Sequence, residues 1–255
     1  MDKRTLIVIP YLSSAAQGHE LQLAVAGWQQ HFKQPHDIVI IGDRDSNFDA
    51  LHSTEESSVS LRYRPRACPI EKQYTPHIDH AQKFSFICER YSSRYNGFIY
   101  ACDDMYAVKD FTLRDVKKLK YPKVDREIRE DWDWRREGGW LHDLGKTADL
   151  CRREGLPTNN WVCHLPVYYD MNRLMAIISK YDCENNSYIL ENLYFNRKYD
   201  WRPVEPAERF GYEVKTASPG IRTAEDAGTI WISNANCGWS EELENILAKH
   251  YEIKL

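Results

Sequence analysis

The run Thr5-Leu-Ile-Val-Ile-Pro-Tyr11 leaves this chain few folds to choose from. It is apolar without alternation and rich in β-branched residues. That is the pattern of a central strand covered on both faces, as in parallel sheets flanked by helices. A loop of small residues over 13–18 follows. Residues 19–32 then place Leu21, Leu23, Ala24, Ala26, Trp28 and Phe32 at spacings that fit an amphipathic helix. Pro35 stops that helix, and Asp37-Ile-Val-Ile-Ile-Gly42 repeats the buried-strand pattern. Strand, helix and strand within about 40 residues form a βαβ unit with parallel strands and a right-handed crossover. The chain is therefore expected to be α/β.

A further buried strand, 98–101, is entered from a turn at Asn96-Gly97 and ends at two adjacent carboxylates, Asp103 and Asp104. In open α/β sheets the carboxyl ends of the strands are where ligands bind. Two acids there repel each other and are costly to desolvate unless a cation lies between them. A hard divalent cation that also grips substrate phosphates suits the pair; a solvated turn is the plainer alternative. Asp43, at the tip of the second strand, stands where an acid can hydrogen-bond a ribose or a base, or else joins a turn with Asp45 and Ser46. Neither GxGxxG nor the P-loop signature occurs, so any phosphate must be held by a metal and basic side chains. Between these strands, 59–63 alternates like a short strand, and Arg64, Arg66 and Lys72 mark a basic loop. Residues 76–94 read as a helix, from which Lys83 either reaches a phosphate or is simply solvated.

Composition narrows the function classes. At 255 residues and 42% apolar content the chain can build one large core. A net charge of -4 gives no bulk basic footprint for nucleic acid. No run approaches the roughly 18 apolar residues that span a bilayer. The first residues lead straight into a strand, so no signal peptide is expected. Seven scattered cysteines without a CxxC suggest reduced thiols in a cytoplasmic protein rather than disulfides or structural zinc.

The opening strand, the strand ending at Asp43 and the helix and strand leading to the acidic pair are together similar to the GT-A type nucleotide-diphospho-sugar glycosyltransferases. More narrowly, Phe98-Ile-Tyr-Ala-Cys-Asp-Asp-Met-Tyr106 resembles the acidic segment of Stealth-type capsular polysaccharide sugar-phosphate transferases. The likeness covers roughly the first 110 residues as an order of elements and about ten as a motif. Here Cys102 takes the middle of the motif and leaves the acids adjacent rather than spaced. The resemblance implies a GT-A-like, mostly parallel sheet flanked by helices, with a nucleotide-sugar-binding half over 1–120. A helical and irregular acceptor-side half, 121–255, would continue the same domain. It implies Mn²⁺ or Mg²⁺ as cofactor, with Asp104 and His164 as metal ligands. Pro10, Tyr11, Asp43, Lys83 and Asp103 would contact a nucleotide-sugar donor. The acceptor would be a saccharide or other cell-surface polymer, which leaves peripheral association with a membrane open.

Beyond the motif, 111–119 is expected to be helical. Residues 125–140 carry Trp132, Trp134 and Trp140, either an acceptor wall of aromatic faces or a helical excursion packed on the body. Leu141-His-Asp-Leu-Gly-Lys146 contains the adjacent His and Asp of HD metal phosphohydrolases, but those are all-helical, and 141–153 reads as one helix. Residues 161–163 read as a short strand delivering His164, with Pro166 forcing a turn. That imidazole either completes a metal shell begun by Asp104 or is a hydrogen-bonded structural residue. Helices are expected over 169–181 and 187–196. Glu191 is the candidate base for an acceptor hydroxyl, with Asp170 behind it. Residues 200–228 read as a long loop with a short strand at 212–215, conceivable as a lid over the donor. A late strand over 229–233 precedes a helix capped by Ser240. The expected function is metal-dependent glycosyl transfer. Sugar-1-phosphate transfer, an HD-type phosphohydrolase and a non-catalytic binding protein stand as alternatives.

Overall fold

In the computed structural model, which describes residues 4–63, 76–122, 128, 131–197, 204–215 and 228–255, the apolar N-terminal run is the strand at the centre of the main sheet. The first half of the chain runs β1 (Thr5–Tyr11), α1 (Glu20–His31), β2 (His36–Gly42), α2 (Ser46–Asp49), β3 (Ser57–Tyr63), α3 (Pro76–Tyr91) and β4 (Gly97–Tyr100). It continues through β5 (Met105–Ala107), α4 (Leu113–Lys117) and β6 (Leu119–Tyr121). The second half supplies α5 (Gly139–Arg153), β7 (Val167–Asp170), α6 (Met171–Tyr181), α7 (Leu190–Asn196), β8 (Val204–Pro206), β9 (Gly211–Val214), β10 (Trp231–Asn234) and α8 (Glu241–Tyr251).

The main sheet has the order β3-β2-β1-β4-β7. Its first four strands are mutually parallel, and β7 joins β4 antiparallel, with Gly97 opposite Asp170 and Tyr100 opposite Val167. Period-two alternation sends the side chains of each strand to two different cores. Leu6, Val8, Val39, Ile41, Phe98 and Tyr100 pack with Phe84 and Ile87 of α3 and with Leu174, Ile177 and Ile178 of α6. Ile7, Ile9, Ile38, Ile40 and Ile99 pack with Leu21, Val25 and Trp28 of α1. Leu6 to Ile9 are fully buried, and burial of each such side chain contributes about 1.5–3 kcal/mol. A strand with both faces covered in this way can sit only in the middle of a layered sheet.

Two smaller sheets also form among the described residues. β10 lies between β5, which it meets antiparallel, and β9, which it meets parallel; β6 pairs in parallel with β8. Each of the three sheets combines strands from both halves of the chain, so residues 1–120 and 121–255 interleave.

Several local expectations need correction. Residues 111–119 form only the short α4 before the chain extends into β6. Residues 161–163 make no strand: the Trp161 and Val162 amides donate to the side chains of Asn192 and Asn160, at 2.7 and 3.1 Å. The helix expected from 169 begins at Met171, because 167–170 are held as the edge strand beside β4. Trp134 packs on α5, its indole donating to Asp149 at 2.6 Å, whereas Trp140 is exposed. The basic loop with Arg64, Arg66 and Lys72 and most of the expected lid over 200–228 lie outside the described residues. Among the described residues Cys88, Cys102, Cys151, Cys163, Cys183 and Cys237 are free thiols, and no helix is long and apolar enough to cross a membrane.

Candidate functional site

The acidic pair occupies a tight turn between two sheets. β4 belongs to the main sheet and β5 to the three-stranded one, and the Met105 amide donates to the Cys102 carbonyl at 3.3 Å to close the turn. Asp103 and Asp104 are its two central residues. The Asp104 carbonyl accepts from the Asn234 amide at 3.3 Å, which fixes the turn against β10. Because β1, β2 and β4 are parallel, this turn shares one rim of the sheet with the residues that follow β1 and β2.

His164 arrives at the same place from 60 residues away. Its Nε2 lies 3.1 Å from each carboxylate oxygen of Asp104, and its Nδ1 lies 3.6 Å from Oε1 of Glu213 on β9. The backbone at His164 is left-handed, with φ 48°, a conformation that costs a non-glycine residue on the order of 1 kcal/mol. The next residue anchors it. Leu165 is buried against Gly211, where an added Cβ would come within 2.2 Å of Leu165 Cδ2. Burial alone would push the imidazole's pKa down, but the hydrogen bond to Asp104 and the nearby Glu213 carboxylate outweigh it and raise it to about 10. His164, paired with it at 3.6 Å, in turn holds the Glu213 carboxyl below its ordinary range.

The neighbouring acids feel the opposite environment. Desolvation, then the charges of Asp104 and Glu20, push the Asp103 carboxyl well above its ordinary value. Glu20 is buried and also raised by desolvation, although it accepts from Asn234 Nδ2 at 2.8 Å and from the Gln17 amide at 2.7 Å. Cys102 stands beside the pair, its Sγ 3.0 Å from the Tyr100 hydroxyl. One ligand atom each from Cys102, Asp104 and His164 lie within 4.8 Å of one another. The donor set can hold a divalent cation, and as it stands it does not single out Mn²⁺ or Mg²⁺, which favour oxygen ligands.

The other expected site residues divide sharply. Asp43 lies on the same rim, its Oδ2 accepting from the Ser13 amide and hydroxyl, both at 3.2 Å. Tyr11 is buried, and its hydroxyl donates to Asp45 at 2.6 Å, close enough to Asp103 to feel its charge. Pro10 is buried within β1. Lys83 does not face the rim as a free cation: it is buried in α3 with its Nζ 2.8 Å from Asp79, one helical turn away. Asp170 is misplaced for a base at this site. It pairs across from Gly97, the first residue of β4, at the opposite end of the strand from the acidic turn. There it caps α6 by accepting from the Arg173 amide at 3.0 Å.

Glu191, in the first turn of α7, is on the right side. Its charge bears on Tyr100 and Cys102, and burial pushes its own carboxyl up. Glu213 escaped sequence inspection altogether, because in the alternating Gly-Tyr-Glu-Val of β9 it looks like an ordinary solvent-facing strand residue. The His-Asp pair of α5 is tied up structurally. Asp143 accepts from His77 Nδ1 at 2.7 Å and from the Ser187 hydroxyl, and no group of three metal-type donors gathers there among the described residues. No family model matches this chain, and no curated protein matches it.

Proposed function

We propose that the protein is a metal-dependent glycosyltransferase of GT-A type, moving a sugar from a nucleotide-diphosphate donor to a saccharide or related polymer acceptor. The observation that carries this is the convergence of Asp104 and His164 within 3.1 Å, at the carboxyl end of the mostly parallel sheet, with Asp103 beside them. A binding protein that merely kept the fold would have no need to bring a histidine in strained backbone across 60 residues to meet an acidic turn. Asp104 and His164 would hold the cation, which when bound neutralises charge on the diphosphate leaving group.

The protein's own groups supply the rest. Asp43 and Tyr11, on the rim above β1 and β2, border the space for the nucleoside. Glu191 takes the proton of the acceptor hydroxyl as its oxygen bonds to the anomeric carbon and the bond from that carbon to the diphosphate breaks. Its raised pKa brings it nearer the working range of a general base. Glu213 steadies His164 from behind.

Calorimetry with UDP, GDP and CDP, with and without Mn²⁺, on the wild type and on Asp104→Ala, tests the proposal. Metal-dependent binding of one nucleotide, lost in the variant, is the expected outcome. Absence of nucleotide binding under all conditions would sink it.

A further inference from the structure

The acidic turn differs from a plain carboxylate site by one atom, the sulfur of Cys102. Its position follows from the fold. β4 ends at Tyr100, and the turn that closes between Cys102 and Met105 holds the cysteine at the mouth of the same rim as Asp104. Sγ, an Asp104 oxygen and a His164 nitrogen lie within 4.8 Å of one another. An ion bound at about 2.0–2.3 Å from each donor keeps neighbouring donors roughly 3–4 Å apart, so these three can close on one ion with small side-chain adjustment.

Both non-carboxylate donors also have a supporting partner. Tyr100 hydroxyl, 3.0 Å from Sγ, can donate to a thiolate, and Glu213 lies 3.6 Å from the far nitrogen of His164. Metal sites orient their ligands with such outer hydrogen bonds, and a cysteine or histidine packed only for bulk needs none.

We propose that Cys102 is the third protein ligand of the cation held by Asp104 and His164, and that the site takes Zn²⁺ or Co²⁺ in preference to Mg²⁺. This rests on the metal-site reading above and deepens it. A sulfur, nitrogen and oxygen donor set is that of a borderline transition ion; Mg²⁺ demands oxygen and sheds water reluctantly. On binding, the thiol proton of Cys102 and the Nε2 proton of His164 leave to solvent; the sulfur bonds the ion as thiolate, its charge partly offset by the Tyr100 hydroxyl, and the neutral imidazole bonds it through Nε2.

Co²⁺ is the probe, because a cobalt–thiolate bond has a near-ultraviolet charge-transfer band that oxygen and nitrogen ligands lack. The full-length protein, Cys102→Ser, Cys102→Ala and Asp104→Ala would be titrated with Co²⁺ and checked for folding by circular dichroism. The wild type is expected to show the band and to keep its Co²⁺ against excess Mg²⁺. Both Cys102 variants should lose the band and bind Co²⁺ at least about tenfold more weakly. If they keep spectrum and affinity while Asp104→Ala loses the ion, Cys102 is no ligand and this inference fails alone. Displacement of Co²⁺ by comparable Mg²⁺ would equally overturn the selectivity. If the wild type binds no divalent ion at all, the metal-dependent mechanism falls together with it.

Discussion

Lys120 is a cation with no carboxylate partner among the described residues, in a nearly closed environment. Only 5% of it is exposed, and its ammonium donates to the carbonyls of Asp115, Val116 and Lys118 at 3.0, 3.1 and 3.2 Å. The faces of Phe210 and Trp231 lie 5.2 and 5.4 Å from its Nζ. Burial brings its pKa down to about 8. The unfolded lysine titrates near 10.4, so between about pH 8 and pH 10.4 the unfolded chain holds more protons than the native one. Stability must then rise with pH across that window, by roughly 3 kcal/mol from this group. Denaturant unfolding at pH 7.5 and pH 10.5 should show a gain in the wild type that is smaller in Lys120→Met. An equal gain in both would assign it elsewhere. At this scale the sequence was a mixed guide. The Asp79 and Lys83 spacing already offers a helical ion pair, and that pairing is what removes Lys83 from the rim. Asp104 was legible because adjacent acids at a strand end are chemically conspicuous. Glu213 was not, since its role depends on a histidine that another segment brings to it.

Elements with a strong internal pattern were legible, and elements created by a neighbour were not. β1, β2, α1, α3 and α8 carry their apolar spacing in their own residues, and the Ser240 hydroxyl caps α8 by accepting from the Leu243 amide at 3.2 Å. β7 is only four residues long and runs into the helical pattern of α6, so its aromatic residues blended with a helix. What makes it a strand is the free edge of β4. The contact is close at Gly97, where a Cβ would lie 2.2 Å from the Tyr169 carbonyl oxygen and 2.5 Å from the Tyr168 hydroxyl. Gly97→Ala would therefore pry β7 from β4 or shift both, at a cost of about 2–3 kcal/mol. Urea unfolding measures it directly, and a midpoint equal to the wild type's would contradict the close packing of these strands.

Across the whole molecule, the order of strands in space departs from their order in the chain. β7 joins the edge of the main sheet, β10 pairs with β5 and β9 with β10, and β8 pairs with β6. The Tyr251 hydroxyl, near the C-terminus, donates to the Ala107 carbonyl at 2.7 Å. A fragment of residues 1–120 would keep four parallel strands yet expose one edge of β4 and lose the strands that pair with β5 and β6 among the described residues. It is expected to be unfolded or aggregated, as seen by circular dichroism and sedimentation. A cooperative thermal transition in that fragment would show that the first half is self-sufficient. The parallel core was readable because buried strands announce themselves. The interleaving was not, since three- and four-residue strands are specified by what they meet.

The turn bearing Asp103 and Asp104 has one further consequence, and it concerns the unfolded chain. Asp104, His164 and Glu213 come from three distant segments, the first two 60 positions apart, and side-chain contacts join them. An ion bridging Asp104 and His164, as proposed above, would act as a reversible cross-link, closing a long loop that the denatured chain would leave open. By mass action it would add about 2.7 kcal/mol to stability at a hundred times its dissociation constant. Under the proposed function, such an ion would be a fastener as well as a reactant's partner, and its depletion would loosen the seam between the two sheets.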